Sequence, residues 1–344
     1  MTYHYQAIRS EIFEKTMLPT LSYAPEDREW DFTQKESSIL ADDFAILDEL
    51  YQLFLPYQGE LRTYHFMGEG IGILTTAYLY LLNQGHDPQS MEDFHELVLA
   101  MTEEDIDYCL RFMLRGSGVS EDLGKSFLEL LEEVPWKPET KWRFLIYTQA
   151  PLENLRKTVN LSRELQPLYQ PYFEKAAAER QFFANHLSMD KLFAEADVLK
   201  AIQHEQLQTD AQLIILSSWF IRLMLIPIDE FSEGFKTFVV LSCKIDQVLL
   251  SHRELDEDNF NSVLKSLSDL TRYKVLVALT QPHVKGKDIA AELGISSAAV
   301  SFHRQKLMNA MLLMVNDSDK AVKYDANKDL LRSVIEKLKV DFSL

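Results

Sequence analysis

Cysteine is scarce in this sequence: Cys109 and Cys243 are the two in 344 residues. They lie far apart in mostly apolar stretches, which supports neither a disulfide framework nor a thiolate metal site and predicts buried free thiols. Glycine and proline, at 11 each, are too sparse for a long disordered region. No low-complexity tract occurs, and no internal repeat suggests a solenoid. An uninterrupted apolar run of membrane length is also missing. The longest candidate, Ala211 to Ile228, carries Arg222 near its middle and Pro227 near its end. An arginine at a bilayer centre costs about 2.5 to 3.5 kcal/mol, so the run reads as protein core. The first ten residues lack the basic start and apolar stretch of an export signal, which predicts a cytoplasmic protein.

Basic charge is in short supply too, with 35 Lys and Arg against 53 Asp and Glu, a net charge of −18. The deficit is uneven. From Asn259 onward, 13 basic residues face 9 acidic ones, a net of +4; Met1 to Asp258 holds the other 22 basic and 44 acidic residues, a net of −22. Such asymmetry fits a module facing nucleic acid joined to a domain with another task, while on charge alone a modest excess of +4 spread over a solvated surface is the stronger reading. The length also exceeds one ordinary domain. Two domains are expected, 1–258 and 259–344.

The first region reads as a helical array. Ile39, Leu40, Phe44, Leu47, Leu50, Tyr51 and Phe54 recur at three- and four-residue spacing before Pro56, and similar stretches are predicted over 71–82, 91–101, 103–114, 120–133, 139–148, 152–165 and 172–186. The texture changes at Leu213 to Leu216, Phe220 to Ile226 and Lys236 to Leu241, which are short, β-branched and aromatic. They predict a small sheet within 211–242.

After the acidic patch Glu254 to Asp258, Asn259 is placed to cap a helix carrying Phe260, Val263, Leu264 and Leu267. Asp269 starts a second helix that Pro282 stops, and Gly286 to Leu293 forms a third, ended by Gly294, which can take the left-handed conformation of a sharp turn. Ser296 caps a fourth, running to about Ala310. Two strand-like segments, Leu312 to Val315 and Ala321 to Tyr324, are followed by a last helix from about Lys328 to Lys339. This order is that of a winged helix-turn-helix, so the expected fold is mainly α: a helical array with a small sheet, then a C-terminal winged helix-turn-helix.

The segments Leu267-Ser-Asp-Leu-Thr-Arg-Tyr-Lys-Val-Leu276 and Asp288-Ile-Ala-Ala-Glu-Leu-Gly-Ile-Ser-Ser-Ala-Ala-Val-Ser-Phe-His303, followed by Leu307, resemble the DNA-binding domain of ArsR-type bacterial transcription regulators. The resemblance covers roughly the last quarter of the chain and rests on the ordered set of motifs. It implies a homodimer reading a palindromic operator in double-stranded DNA, with half-sites about 10 bp apart. The chain departs from the family in three ways. Arg304 stands where a leucine is usual, which would rotate the helix and bring His303 partly inward. Asp317 and Asp319 occupy the hairpin tip, leaving Lys320 and Lys323 as its cations. The positions where metal-sensing members carry ligands hold neither cysteine near 282–287 nor histidine on the last helix, so neither metal nor cofactor is expected.

The residues alone support the same interface. Ile289 and Leu293 can pack against Val300 and Leu307, with Ala290 allowing close approach. Ser297, Ala298, Ser301 and Gln305 then share the opposite face, small and polar enough for a major groove about 12 Å wide. Free amides near Ser296 and Ser297 can meet a phosphate. Lys287, Arg304 and Lys306 are phosphate or base-edge candidates, and Phe302 a contact for a thymine methyl.

No HExxH, nucleophile elbow or phosphate loop occurs, and Gly68-Glu-Gly-Ile-Gly72 has the wrong spacing for a dinucleotide turn. His65, His86, His95, His186, His204 and His252 are scattered without ligand spacing. No enzyme is therefore expected. The acidic domain is assigned to dimerisation or to sensing an effector that the sequence does not identify. The competing reading is an interaction scaffold whose winged helix docks a protein.

Overall fold

The computed structural model describes residues 3–24, 32, 34–65, 71–116, 125–134, 136–195, 211–227, 237–250, 257–315 and 324–343. Among these the protein is mainly helical with a small mixed sheet. In chain order the elements are β1 (Tyr3–Tyr5), α1 (Ala7–Thr16), α2 (Gln34–Ile39), α3 (Ala41–Phe54), α4 (Gln58–Tyr64), α5 (Ile73–Asn83), α6 (Met91–Leu99), α7 (Glu103–Gly116), α8 (Phe127–Glu133), α9 (Pro138–Gln149), α10 (Pro151–Lys175), α11 (Ala177–His186) and α12 (Met189–Glu195). There follow β2 (Ala211–Leu216), β3 (Leu223–Pro227), β4 (Thr237–Ser242), α13 (Ile245–Leu250), α14 (Glu257–Leu267), α15 (Leu270–Leu279), α16 (Gly286–Leu293), α17 (Ser297–Asn309), β5 (Leu313–Val315), β6 (Tyr324–Ala326) and α18 (Lys328–Phe342).

The described residues form two compact units. One lies within 1–28, 42–186 and 209–243, the other within 29–41, 187–208 and 244–344. The second unit thus begins before Asn259, where the sequence placed the boundary, and takes in two earlier segments.

In the first unit the strand order is β1-β2-β4-β3, with β1, β2 and β4 parallel and β3 antiparallel. Every residue of β2 and β4 is buried. Central parallel strands are covered on both faces, which is why Ala-Gln-Leu-Ile-Ile-Leu reads as an almost continuous apolar run. Pro227 ends β3 at the sheet edge, where a missing donor is tolerated. The described part of the 211–228 run, 211–227, is therefore divided between two strands and a 3₁₀ turn at Ser218–Phe220. No helix among the described residues is long and apolar enough to cross a membrane.

Two sequence expectations need correction. The helices read over 152–165 and 172–186 are divided differently: α10 runs unbroken to Lys175 through Pro167 and Pro171, and α11 starts at Ala177. Both prolines are exposed, so the carbonyls they leave without a donor lie toward solvent, the side on which long helices bend outward. Tyr169, between them, is fully buried and seats the turn. Asn259 does not cap α14, which already begins at Glu257; it is buried inside the first turn.

The second unit has its own core. Val263 of α14, Val275, Leu276 and Leu279 of α15, Ile289 and Ala290 of α16, Val300 and Leu307 of α17, Leu312 just before β5, Leu313 of β5, Tyr324 of β6 and Val334 of α18 pack together. β5 and β6 pair antiparallel, Leu313 opposite Ala326 and Val315 opposite Tyr324. The second strand includes Tyr324, the last residue of the 321–324 read in sequence, and continues to Ala326; the first three residues of that reading fall outside the described set.

Candidate nucleic-acid interface

Local chemistry sets the turn between α16 and α17. Gly294 closes α16 at φ +67°, and the Ile295 amide donates to the Ala290 carbonyl at 3.0 Å, the six-to-one bond of a Schellman ending. A Cβ on Gly294 would meet nothing within 4 Å. Gly294→Ala therefore costs only the left-handed backbone energy, and urea denaturation should show about 1 kcal/mol less stability in the second unit. Two residues on, the Ser296 hydroxyl accepts from the Ala299 amide at 3.1 Å and starts α17. Asp269 starts α15 in the same manner, accepting from the Arg272 amide at 3.0 Å. That bond holds the Asp269 carboxyl below its ordinary range.

The faces of α17 follow from this start. Val300 and Leu307 are buried, anchoring one edge. The opposite side exposes Ser297, Ala298, Phe302 and Gln305, with Ser301 and Asn309 half-buried beside them. The Gln305 side-chain amide donates to the Asn309 side-chain oxygen at 2.9 Å. Asn309 was not singled out in the sequence, although it lies four residues beyond Gln305 on the same helix face.

The cations are placed differently from one another. Lys287 is exposed on the first turn of α16. Arg304, four residues after Val300 and three before Leu307, is half-buried, and its Nη1 lies 3.5 Å from the Tyr324 hydroxyl of β6. It stands at the inner edge of the helix, not on the face shared by Ala298 and Gln305. The Lys306 ammonium lies 5.7 Å from the Phe302 ring centroid. Lys320 and Lys323, with Asp317 and Asp319, lie outside the described residues.

His303 is half-buried beside Phe302, with its Nδ1 unpaired. Burial lowers its pKa, opposed by the Asp269 carboxylate and reinforced by Arg272. The sequence expected His303 partly inward, and the ring is half-buried.

In the first unit Cys109 and Cys243 are free and buried, and burial pushes both thiols well above their ordinary range. Among the described residues no three His, Cys, Asp or Glu side chains come together as a metal site. Comparison with family models, curated proteins and solved structures finds no match.

Proposed function

We propose that the protein is a DNA-binding transcription regulator of the ArsR type. In this reading 259–344 acts as a winged helix-turn-helix, two copies of the chain read a palindromic operator, and the acidic first region dimerises or senses an effector in the cytoplasm. The observation that carries it is α17: one edge is seated in the core, and the other presents a small, largely uncharged face after a sharp Gly294 turn. A helix of 13 residues held in this way has the form that enters a major groove. The opposite charges of 1–258 and 259–344 support the same reading, because an acidic body disfavours non-specific attachment and leaves the basic region nearest the duplex.

The test is binding of the full chain to the DNA upstream of its own gene. Affinity is expected to fall steeply between 50 and 200 mM salt, by about 10³ if six phosphates are neutralised. A flat response would contradict phosphate contact.

A second reading, a scaffold docking a protein, is favoured by one feature. Leu270, Tyr273 and Val277 of α15 share a helix face and are 66%, 48% and 45% exposed. It predicts no footprint and no salt-dependent DNA affinity.

A further inference from the structure

We infer that the exposed face of α17 selects an A·T-rich half-site, with Gln305 on an adenine and Ala298 and Phe302 against thymine methyls. This deepens the DNA-binding reading and rests on it. The inference comes from what the face carries and from where its cations are held. Guanine is read in the major groove chiefly by Arg or Lys reaching O6 and N7. On α17 the candidate arginine, Arg304, is half-buried with its guanidinium toward the Tyr324 hydroxyl. The candidate lysine, Lys306, has its ammonium near the Phe302 ring, at the flank of the face.

What remains outward is neutral. Gln305 is exposed and already oriented by its bond to Asn309, and a carboxamide pairs with adenine through N6 and N7. Ala298 lies four residues before Phe302, so both occupy one stripe of the helix. Phe302 is 41% exposed, apolar area suited to the C5 methyl that only thymine presents. Ser297 and Ser301, at the margin, can donate or accept and do not favour one base pair.

The experiment selects duplexes from a random pool with the full chain and then measures affinity for the selected site and its analogues. The expected half-site has A·T pairs where α17 lies. Replacing thymine by uracil at those positions, which removes only the methyl, should weaken binding several-fold. Gln305→Ala should reduce the preference for one adenine by about 5- to 150-fold, the range of one bidentate contact. A selected half-site centred on guanine, whose enrichment depends on Arg304 or Lys306, would overturn the inference and leave DNA binding standing. Uracil without effect, combined with an unchanged preference in Gln305→Ala, would do the same. If no sequence is enriched at all, the DNA-binding reading fails and this inference fails with it.

Discussion

Glu14→Ala is expected to lower the unfolding free energy of the first unit by about 3 to 5 kcal/mol, the usual consequence of removing one partner from a buried charge pair. Glu14 of α1 is completely buried. Its carboxylate accepts from the Tyr169 hydroxyl and, at 2.7 Å each, from the Ser217 amide and hydroxyl. Arg180 stands 3.9 Å away; its Nη1 donates to the Ser217 hydroxyl at 2.7 Å and its Nη2 to the Phe173 carbonyl at 2.7 Å. The Trp219 indole donates to the Tyr169 hydroxyl at 3.1 Å.

Burial raises the Glu14 pKa, while Arg180, Tyr169 and Ser217 pull it back. With alanine at 14, the Arg180 guanidinium, 6% exposed, keeps its charge and loses its counter-ion, and the Ser217 amide loses its acceptor. Urea unfolding followed by tryptophan fluorescence should show the loss. Adding Arg180→Met to Glu14→Ala should recover part of it, because the uncompensated charge is gone. A single variant within about 1 kcal/mol of the parent would mean that the network contributes little.

Acid is expected to destabilise the same unit well above the pH at which ordinary carboxylates titrate. His65 and His95 are buried as neutral rings, and burial is the main cause that lowers their pKa values from 6.5 to about 3 and about 4. His65 Nε2 has no hydrogen-bond partner, and His95 Nε2 lies 3.1 Å from the Ser162 hydroxyl. Arg163 adds to the lowering at His95, and Glu92 opposes it. The unfolded chain protonates both histidines below about pH 6.5, whereas the folded unit resists until its depressed values are reached. Stability is therefore full above pH 6.5 and falls as the pH drops from there toward 4, by up to about 1.4 kcal/mol per pH unit for each histidine. From pH 7 to pH 4.5 the two together amount to roughly 5 kcal/mol. His65→Leu should reduce the slope by about half. A urea midpoint unchanged between pH 7 and pH 5 would count against neutral burial.

These two sites were not legible in the sequence, for different reasons. The Glu14 network joins residues from α1, α10, α11 and the turn that follows β2, and no local pattern connects positions 14, 169, 180 and 217. α1 itself was missed because it buries Ser10, Glu14, Lys15 and Thr16 along with Ile12 and Phe13, while Ile8 is 42% exposed. A helix with polar residues inside has no apolar stripe to read. β1 is three residues, Tyr-His-Tyr, too short for an alternation to register. His65 and His95 looked like scattered histidines, and burial is a tertiary property.

The elements of the second unit were legible because their signals are local. Asp269 and Ser296 cap their own helices, and Gly294 ends α16 without help from distant residues. β2 and β4 were legible for the related reason that strands in a sheet interior must be apolar throughout, and β3, at the sheet edge, through its unbroken Leu-Met-Leu-Ile run. Arg304 shows the limit of such reading. Its charge made it a phosphate or base-edge candidate, whereas the structure sets it half-buried at the inner edge of α17. Only the position of Tyr324 on β6 reveals what it faces.

The most direct test of the DNA-binding account is a hydroxyl-radical footprint of the full chain on the DNA upstream of its own gene. A dimeric DNA-binding regulator should give two protected patches related by a twofold axis, with centres about 10 bp apart, which disappear as salt is raised. Uniform cleavage along that DNA at low salt, with the protein folded and in excess, would contradict it.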